Sequence, residues 1–332
     1  MKAVWVRDFA PLDRIGVEEV PDPVPGPGEV LVEVVAAEAN YPDILVIEGN
    51  YQIKPPLPFS PGKAAAGRVA ALGQGVAGLS VGDPVAVQVE YGAYAEKLVA
   101  PARNCFRMPE GMSFAKAAAL GLVYQTAWFA LCDRAAMKQG DTVLVLGASG
   151  GIGVASVQLA KALGARTVIA GVLGAENVDV AREAGADHVV ELSDPELRET
   201  LRRKVSEVTG GHGADVVIDP VGGDANAAAL RALAWCGRLV IVGFASGTIP
   251  TIKANYLLVK NIAVSGVQWS DYRERTPERV EAAQRELFDL YQAGRIDPRI
   301  SRKLPLDGFR DALEALRRGQ VQGKIILQVK PE

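Results

Sequence analysis

Histidine is scarce in this chain of 332 residues, with only His188 and His212 present. Cysteine is nearly as rare, and Cys105, Cys132 and Cys236 stand far apart. Three isolated thiols make no disulfide framework, so a reducing, cytoplasmic setting is expected. With so few imidazole and thiol ligands, and no cysteine pair at a zinc-like interval, no local zinc site can be assembled. His188 opens an apolar run and His212 sits among glycines, so both are expected to be structural. A basic surplus is missing too. Lys and Arg number 36 against 39 Asp and Glu, a net charge of −3. That balance leaves no electrostatic footprint for nucleic acid or an anionic membrane. No apolar run reaches the length of a bilayer span, and Asp8 and Asp13 near the start are unlike a signal peptide.

What is present points to two domains, since a chain this long exceeds one ordinary core. Residues 1–120 read as β-rich, with strand-like runs at 31–35 and 85–89 separated by Pro and Gly clusters. Ser113 then predicts the cap of a helix running from Phe114 to Leu131. After it strands and helices alternate. Strands are expected at 142–146, 167–170, 188–191, 215–219, 238–243 and 262–267, with helices between them. Such alternation implies an α/β fold with a doubly wound parallel sheet. Beyond it come a long helix near 277–293 and a strand–helix–strand tail over 302–330. The tail resembles the first domain in texture and is expected to return to it.

The first strand of the alternation runs into Gly147-Ala148-Ser149-Gly150-Gly151-Ile152-Gly153. The spacing Ala148-x-Gly150-x-x-Gly153 matches a dinucleotide-binding turn, with Ala where the first glycine usually stands. Gly150 would let the backbone approach a pyrophosphate, Gly153 would let helix and strand pack closely, and the helix start offers free N–H groups. The second strand and its exit, Thr167 to Gly174 with Gly171 inside, carry no acid to bind a ribose 2′-hydroxyl. The missing carboxylate permits a 2′-phosphate, and so NADPH.

Three stretches together carry a family resemblance: Asn40-Tyr41-Pro42-Asp43 through Gly49-Asn50-Tyr51, the turn Val81-Gly82-Asp83-Pro84-Val85, and the glycine turn. In that combination the chain resembles the medium-chain dehydrogenase/reductase superfamily, and within it the zinc-independent quinone oxidoreductase (zeta-crystallin-like) branch. The resemblance covers essentially the whole chain. It implies a discontinuous catalytic domain with a GroES-like β-barrel core, formed by residues 1–121 and 268–332, and a Rossmann dinucleotide-binding domain at 122–267. Zinc-dependent alcohol dehydrogenases of this superfamily have a cysteine shortly before the position of Asp43 and a histidine at that of Lys63. Here both are missing, as is the cysteine-rich lobe after residue 90. Without a Lewis acid, alcohol oxidation is chemically awkward, whereas reduction of an electron-poor double bond is not.

The resemblance thus implies hydride transfer from NADPH to a quinone or an α,β-unsaturated carbonyl. The enzyme alternative is a 2-enoyl thioester reductase, and the alternative of another class is a nucleotide-binding, crystallin-like protein without turnover. Tyr51 stands where the related 2-enoyl thioester reductases have a catalytic tyrosine. It is the candidate donor to the developing oxyanion, against the plainer possibility of a packed loop aromatic. Asn40 would orient substrate or hold its loop, and Lys63 is either an inert replacement or a substrate contact. Thr126, Phe244, Ala245 and Val267 are implied on the cofactor, and Lys324 near its phosphates. Asn177 occupies a position where NADPH-using relatives often have lysine. Finally, Asn261–Trp269 reads as an unprotected outermost strand, which predicts a homodimer.

Overall fold

The computed structural model describes residues 1–331. By their internal contacts they divide into two compact units. One comprises Met1–Leu122, Arg273–Gln292 and the tail from Pro298, and the other Val123–Tyr272 with Ala293–Asp297. The second seam follows Tyr272, where the sequence suggested Val267.

In the second unit six parallel strands form one sheet. Across the sheet the order is His188–Glu191, Thr167–Val172, Thr142–Leu146, Ala214–Asp219, Leu233–Ile241 and Ala263–Gly266. The first strand in sequence therefore lies third, beside the point where the strand order reverses. Its five residues Thr-Val-Leu-Val-Leu are all buried, the pattern of a strand covered on both faces. Leu144 pairs in register with Ile169 on one side and Val217 on the other, and all three lie in the unit's apolar core.

The first unit is built on a mixed sheet. Strand Glu29–Glu38 pairs antiparallel with Ala64–Leu72. Its other edge pairs with Lys97–Pro101 through Glu29–Glu33 and with Lys324–Gln328 through Ala36–Glu38. The strand at the chain's end thus completes the edge of one near its start, and Ile300–Pro305 adds to it in parallel.

Two elements depart from the sequence expectation. The single helix expected over 114–131 is split into Phe114–Leu120 and Leu122–Trp128, followed by a π-helical turn at Phe129–Arg134. Ser113 caps the first piece by accepting the Lys116 N–H at 3.2 Å. The break falls at Gly121, where a β-carbon would come within 2.9 Å of the Ala64 methyl carbon. The second departure is a short helix, Tyr41–Ile47, in a stretch read as loop. Asn40 and Asp43 have the spacing of a capping box, and a proline follows in the first turn.

Candidate active site

The glycine turn and the first unit's polar cluster belong to different units, and each is built by its own neighbours. At the end of strand Thr142–Leu146 the chain turns at Gly147, whose φ of 61° suits glycine. The helix Gly151–Ala162 starts at once. At Gly153 an added β-carbon would lie 2.5 Å from the Ala148 Cα, so helix and turn touch backbone to backbone. At Gly150 the nearest atom would be the Gly147 carbonyl oxygen at 3.6 Å, which leaves the turn open on its outer side. Ala148 donates its N–H to the Gly171 carbonyl at 3.0 Å, tying the turn to the second strand.

The other residues implied at the cofactor follow neighbouring strands. Phe244 and Ala245 come after Leu233–Ile241, with Phe244 38% exposed, and the Ala245 N–H bonds the Pro220 carbonyl at 3.0 Å. Val267 follows the last strand and donates to Ile241 O at 3.1 Å. Ala148–Gly153, Gly171, Phe244, Ala245 and Val267 are thus gathered at the carboxyl ends of the parallel strands, where doubly wound sheets bind ligands. Thr126 is buried on the helix Leu122–Trp128. The sequence missed Asp219. Its buried carboxylate accepts the N–H groups of Val221 and Gly222, each at 2.8 Å, and Asn226 Nδ2 at 2.7 Å, fixing the loop after its strand.

In the first unit, Glu29–Glu38 leads through Ala39 into Asn40, which caps the helix Tyr41–Ile47. The Asn40 N–H donates to Asp43 Oδ2 at 2.9 Å, and the Tyr94 hydroxyl to the same oxygen at 2.7 Å. Gly62 makes room for that tyrosine, since a β-carbon there would lie 2.7 Å from ring atom Cε1. Past the helix, the Asn50 and Tyr51 N–H groups both return to the Leu45 carbonyl, at 2.8 and 3.1 Å. The half-buried Tyr51 ring packs against the apolar core. Lys63 is 2% exposed, ion-paired with Glu90, and 4.5 Å from the Tyr51 ring centre.

Lys324, implied near the cofactor's phosphates, has its buried ammonium on Asn40 Oδ1 at 2.5 Å, the Ala39 carbonyl at 2.9 Å and Glu38 Oε2 at 3.0 Å. The first two contacts are hydrogen bonds donated by the ammonium, and the third is an ion pair. Asn40 is correspondingly held in the scaffold. Burial pushes the Glu38 carboxyl up against the opposing pull of Lys324. Neither Glu38, Asp43, Glu90 nor Tyr94 was singled out from sequence, although Asp43 carries a local signal in its capping-box spacing.

Burial also raises Asp43 from its ordinary 3.8 to about 6, opposed by the Tyr94 hydroxyl and the Lys63 charge. A carboxyl raised in the folded state stabilises the fold fully below its unfolded value. That stabilisation is lost as pH climbs through the folded one. The Asp43 contribution should therefore fall by on the order of 3 kcal/mol between about pH 4 and pH 6. Unfolding free energies of the wild type and Asp43→Asn over that window test this. The variant's curve should fall less steeply by the Asp43 share, keeping whatever Glu38 contributes, and parallel curves would refute the assignment.

Among the described residues, no group of three His, Cys, Asp or Glu side chains is placed to hold a metal. At the position where zinc-dependent relatives have a histidine, an ammonium paired with Glu90 cannot donate electrons to zinc. No helix among those residues is long and apolar enough to cross a membrane.

The chain's similarities agree with this anatomy. Residues 26–110 match the alcohol dehydrogenase GroES-like domain family, and residues 151–285 the zinc-binding dehydrogenase family. Quinone oxidoreductase-like protein 2 of Bos taurus is 38% identical over 315 residues, covering 95% of this chain and 89% of its own. The structure of mycobacterial Rv1454c complexed with NADPH matches with a TM-score of 0.91 at 32% identity, covering 99% of this chain and 100% of its own. Escherichia coli quinone oxidoreductase complexed with NADPH matches with a TM-score of 0.90 at 30% identity and the same coverage. With the strand order, the glycine turn and the lysine in place of a zinc ligand, these similarities show that the chain belongs to the medium-chain dehydrogenase/reductase superfamily, in its zinc-independent quinone oxidoreductase branch.

Proposed function

We propose that the chain is an NADPH-dependent reductase of quinones or α,β-unsaturated carbonyls that works without zinc. The observation that carries this reading is the glycine turn, open at Gly150 and closed against the helix at Gly153, beside the reversal of strand order. Both NADPH-bound structures noted above support the same cofactor. Backbone N–H groups at the start of Gly151–Ala162 would hold the pyrophosphate. When bound, NADPH supplies a hydride. The protein orients the acceptor, excludes water and hydrogen-bonds the oxygen on which charge develops, the part assigned to Tyr51.

Cofactor preference rests on the second strand, which ends without a carboxylate at its tip. Glu176 nevertheless folds back towards Gly174, its Cδ only 2.7 Å from where a β-carbon there would stand. The test is oxidation of NADPH and NADH with a panel of p-quinones, enones and an enoyl-CoA. NADPH should be the more efficient cofactor with the first two acceptor classes, and Glu176→Gln should widen the margin. Exclusive turnover of enoyl-CoA would favour the thioester reductase, and no turnover with any acceptor would favour a binding protein.

A homodimer is part of the same proposal. Strand Ala263–Gly266 has a sheet neighbour on one side only. The adjoining helix Ala254–Lys260 exposes Leu258 at 79% and Val259 at 77%. An open strand edge flanked by apolar side chains invites a second copy. Light scattering should give twice the chain mass, and Leu258→Asp with Val259→Asp should give the single mass. A wild type that is monomeric at micromolar concentration would overturn this.

A further inference from the structure

The inference concerns Lys63 and rests on reading Tyr51 as the hydrogen-bond donor to substrate. Lys63 is nearly inaccessible yet charged, an arrangement that costs stability unless its partners are well placed. Rigid elements place them. Strands Ala64–Leu72 and Pro84–Gln88 pair with Ala64 opposite Gln88, and the Val89 N–H then donates to Lys63 O at 2.8 Å. Lys63 and Glu90 therefore lie side by side just past the end of the pairing. The ammonium donates to a carboxylate oxygen of Glu90 and, at 3.3 Å, to its carbonyl. The other carboxylate oxygen of Glu90 is 3.0 Å from Arg273 Nη2, and Arg273 is itself buried. Glu90 thus joins two buried cations, and Lys63 is pinned from behind.

Lys63 also presents its charge to an aromatic face, with Nζ 4.5 Å from the centre of the Tyr51 ring. A buried cation at that distance attracts the ring's negative face and draws electron density from it. For a phenol, loss of ring electron density makes the hydroxyl a better hydrogen-bond donor. We propose that Lys63 is a positioning residue: clamped by Glu90 and Arg273, it holds Tyr51 by its ring face and strengthens the phenol as a donor to the substrate oxygen. The cation that this chain has in place of a zinc-binding histidine then acts on substrate through a neighbouring tyrosine.

The test is a mutant cycle on the full-length protein with its best quinone or enone, following kcat, KM and melting temperature. Lys63→Met should lower kcat about tenfold and leave the KM for NADPH within about twofold, because only an interaction made in the transition state is lost. Lys63→Arg, which keeps a cation able to stack on the ring, should recover most of that loss. In a Tyr51→Phe background the Lys63→Met change should cost less than about twofold, since residues acting as one unit are not additive. Multiplicative losses would show that Lys63 does not act through Tyr51. Full turnover in Lys63→Met beside an impaired Tyr51→Phe would overturn the positioning role and leave Tyr51 standing. Full turnover in Tyr51→Phe would instead remove the reading on which the proposal rests. Should Lys63→Met fail to fold, Lys63→Gln carries the same comparison, because its neutral amide removes the cation and can still donate to Glu90, which keeps its pairing with Arg273.

Discussion

Tyr51→Phe is expected to slow turnover of an enone by roughly 10²–10³, the usual cost of removing one donor to a developing oxyanion. Its stability should scarcely change. The ring stays against the core and beside Lys63, and the local backbone is held through Leu45 O, which the substitution does not touch. Affinity for NADPH should also hold, because a donor that acts only on the developing charge contributes nothing to the ground state. Quinones carry a stronger electron sink of their own and should lose less than enones. Steady-state kinetics on both acceptors, beside a melting curve, separate the outcomes. Wild-type rates with a lower melting temperature would return Tyr51 to the structural aromatics.

The two glycines of the nucleotide turn should fail in opposite ways. Gly153→Ala forces a methyl to within 2.5 Å of Ala148 Cα and closer still to the Gly147 carbonyl oxygen. Neither atom is the end of a flexible side chain, so the turn or the helix must shift. A destabilisation of several kcal/mol is expected, at the upper end of single-residue effects. Gly150→Ala meets only the Gly147 carbonyl at an ordinary 3.6 Å, so the protein should fold. The new methyl occupies the open side where a pyrophosphate would approach the backbone. Affinity for NADPH should therefore drop by at least tenfold, while the melting temperature of the free protein holds. Calorimetric titration and thermal unfolding of the two variants read the difference. An unimpaired Gly150→Ala would mean that the phosphates lie elsewhere.

Much of the nucleotide-binding unit was legible because its signals are local. A parallel strand buried on both faces must be apolar throughout, as Thr142–Leu146 is. A turn that touches its own helix must use glycine, as at Gly153. All six strands appear, although the fifth starts at Leu233 where 238 was expected, and the scarcity of histidine and cysteine disfavoured zinc before any fold was considered. Boundaries were less secure where another element decides them. Gly121 breaks the expected helix against Ala64, a residue 57 positions earlier in the chain.

The polar cluster around Tyr51 was the reverse case. Asn40 and Tyr51 could be named because they fall in a recognisable short stretch, but what surrounds them could not. Lys324 lies 284 residues from the Asn40 it bonds, and Arg273 lies 183 from Glu90. Sequence by itself determined the class of fold, the dinucleotide turn, the poverty of metal ligands and the position of one tyrosine, since each is written in neighbouring residues. Tertiary structure alone decided that Lys324 is a buried tie to Asn40, that Lys63 is clamped by Glu90 under the Tyr51 ring, and that Asp43 is pushed up to about 6. The reason is physical. A charge settles in a protein interior only when its partners and its shelter from water arrive together, and here they arrive from segments that only the folded sheet brings side by side.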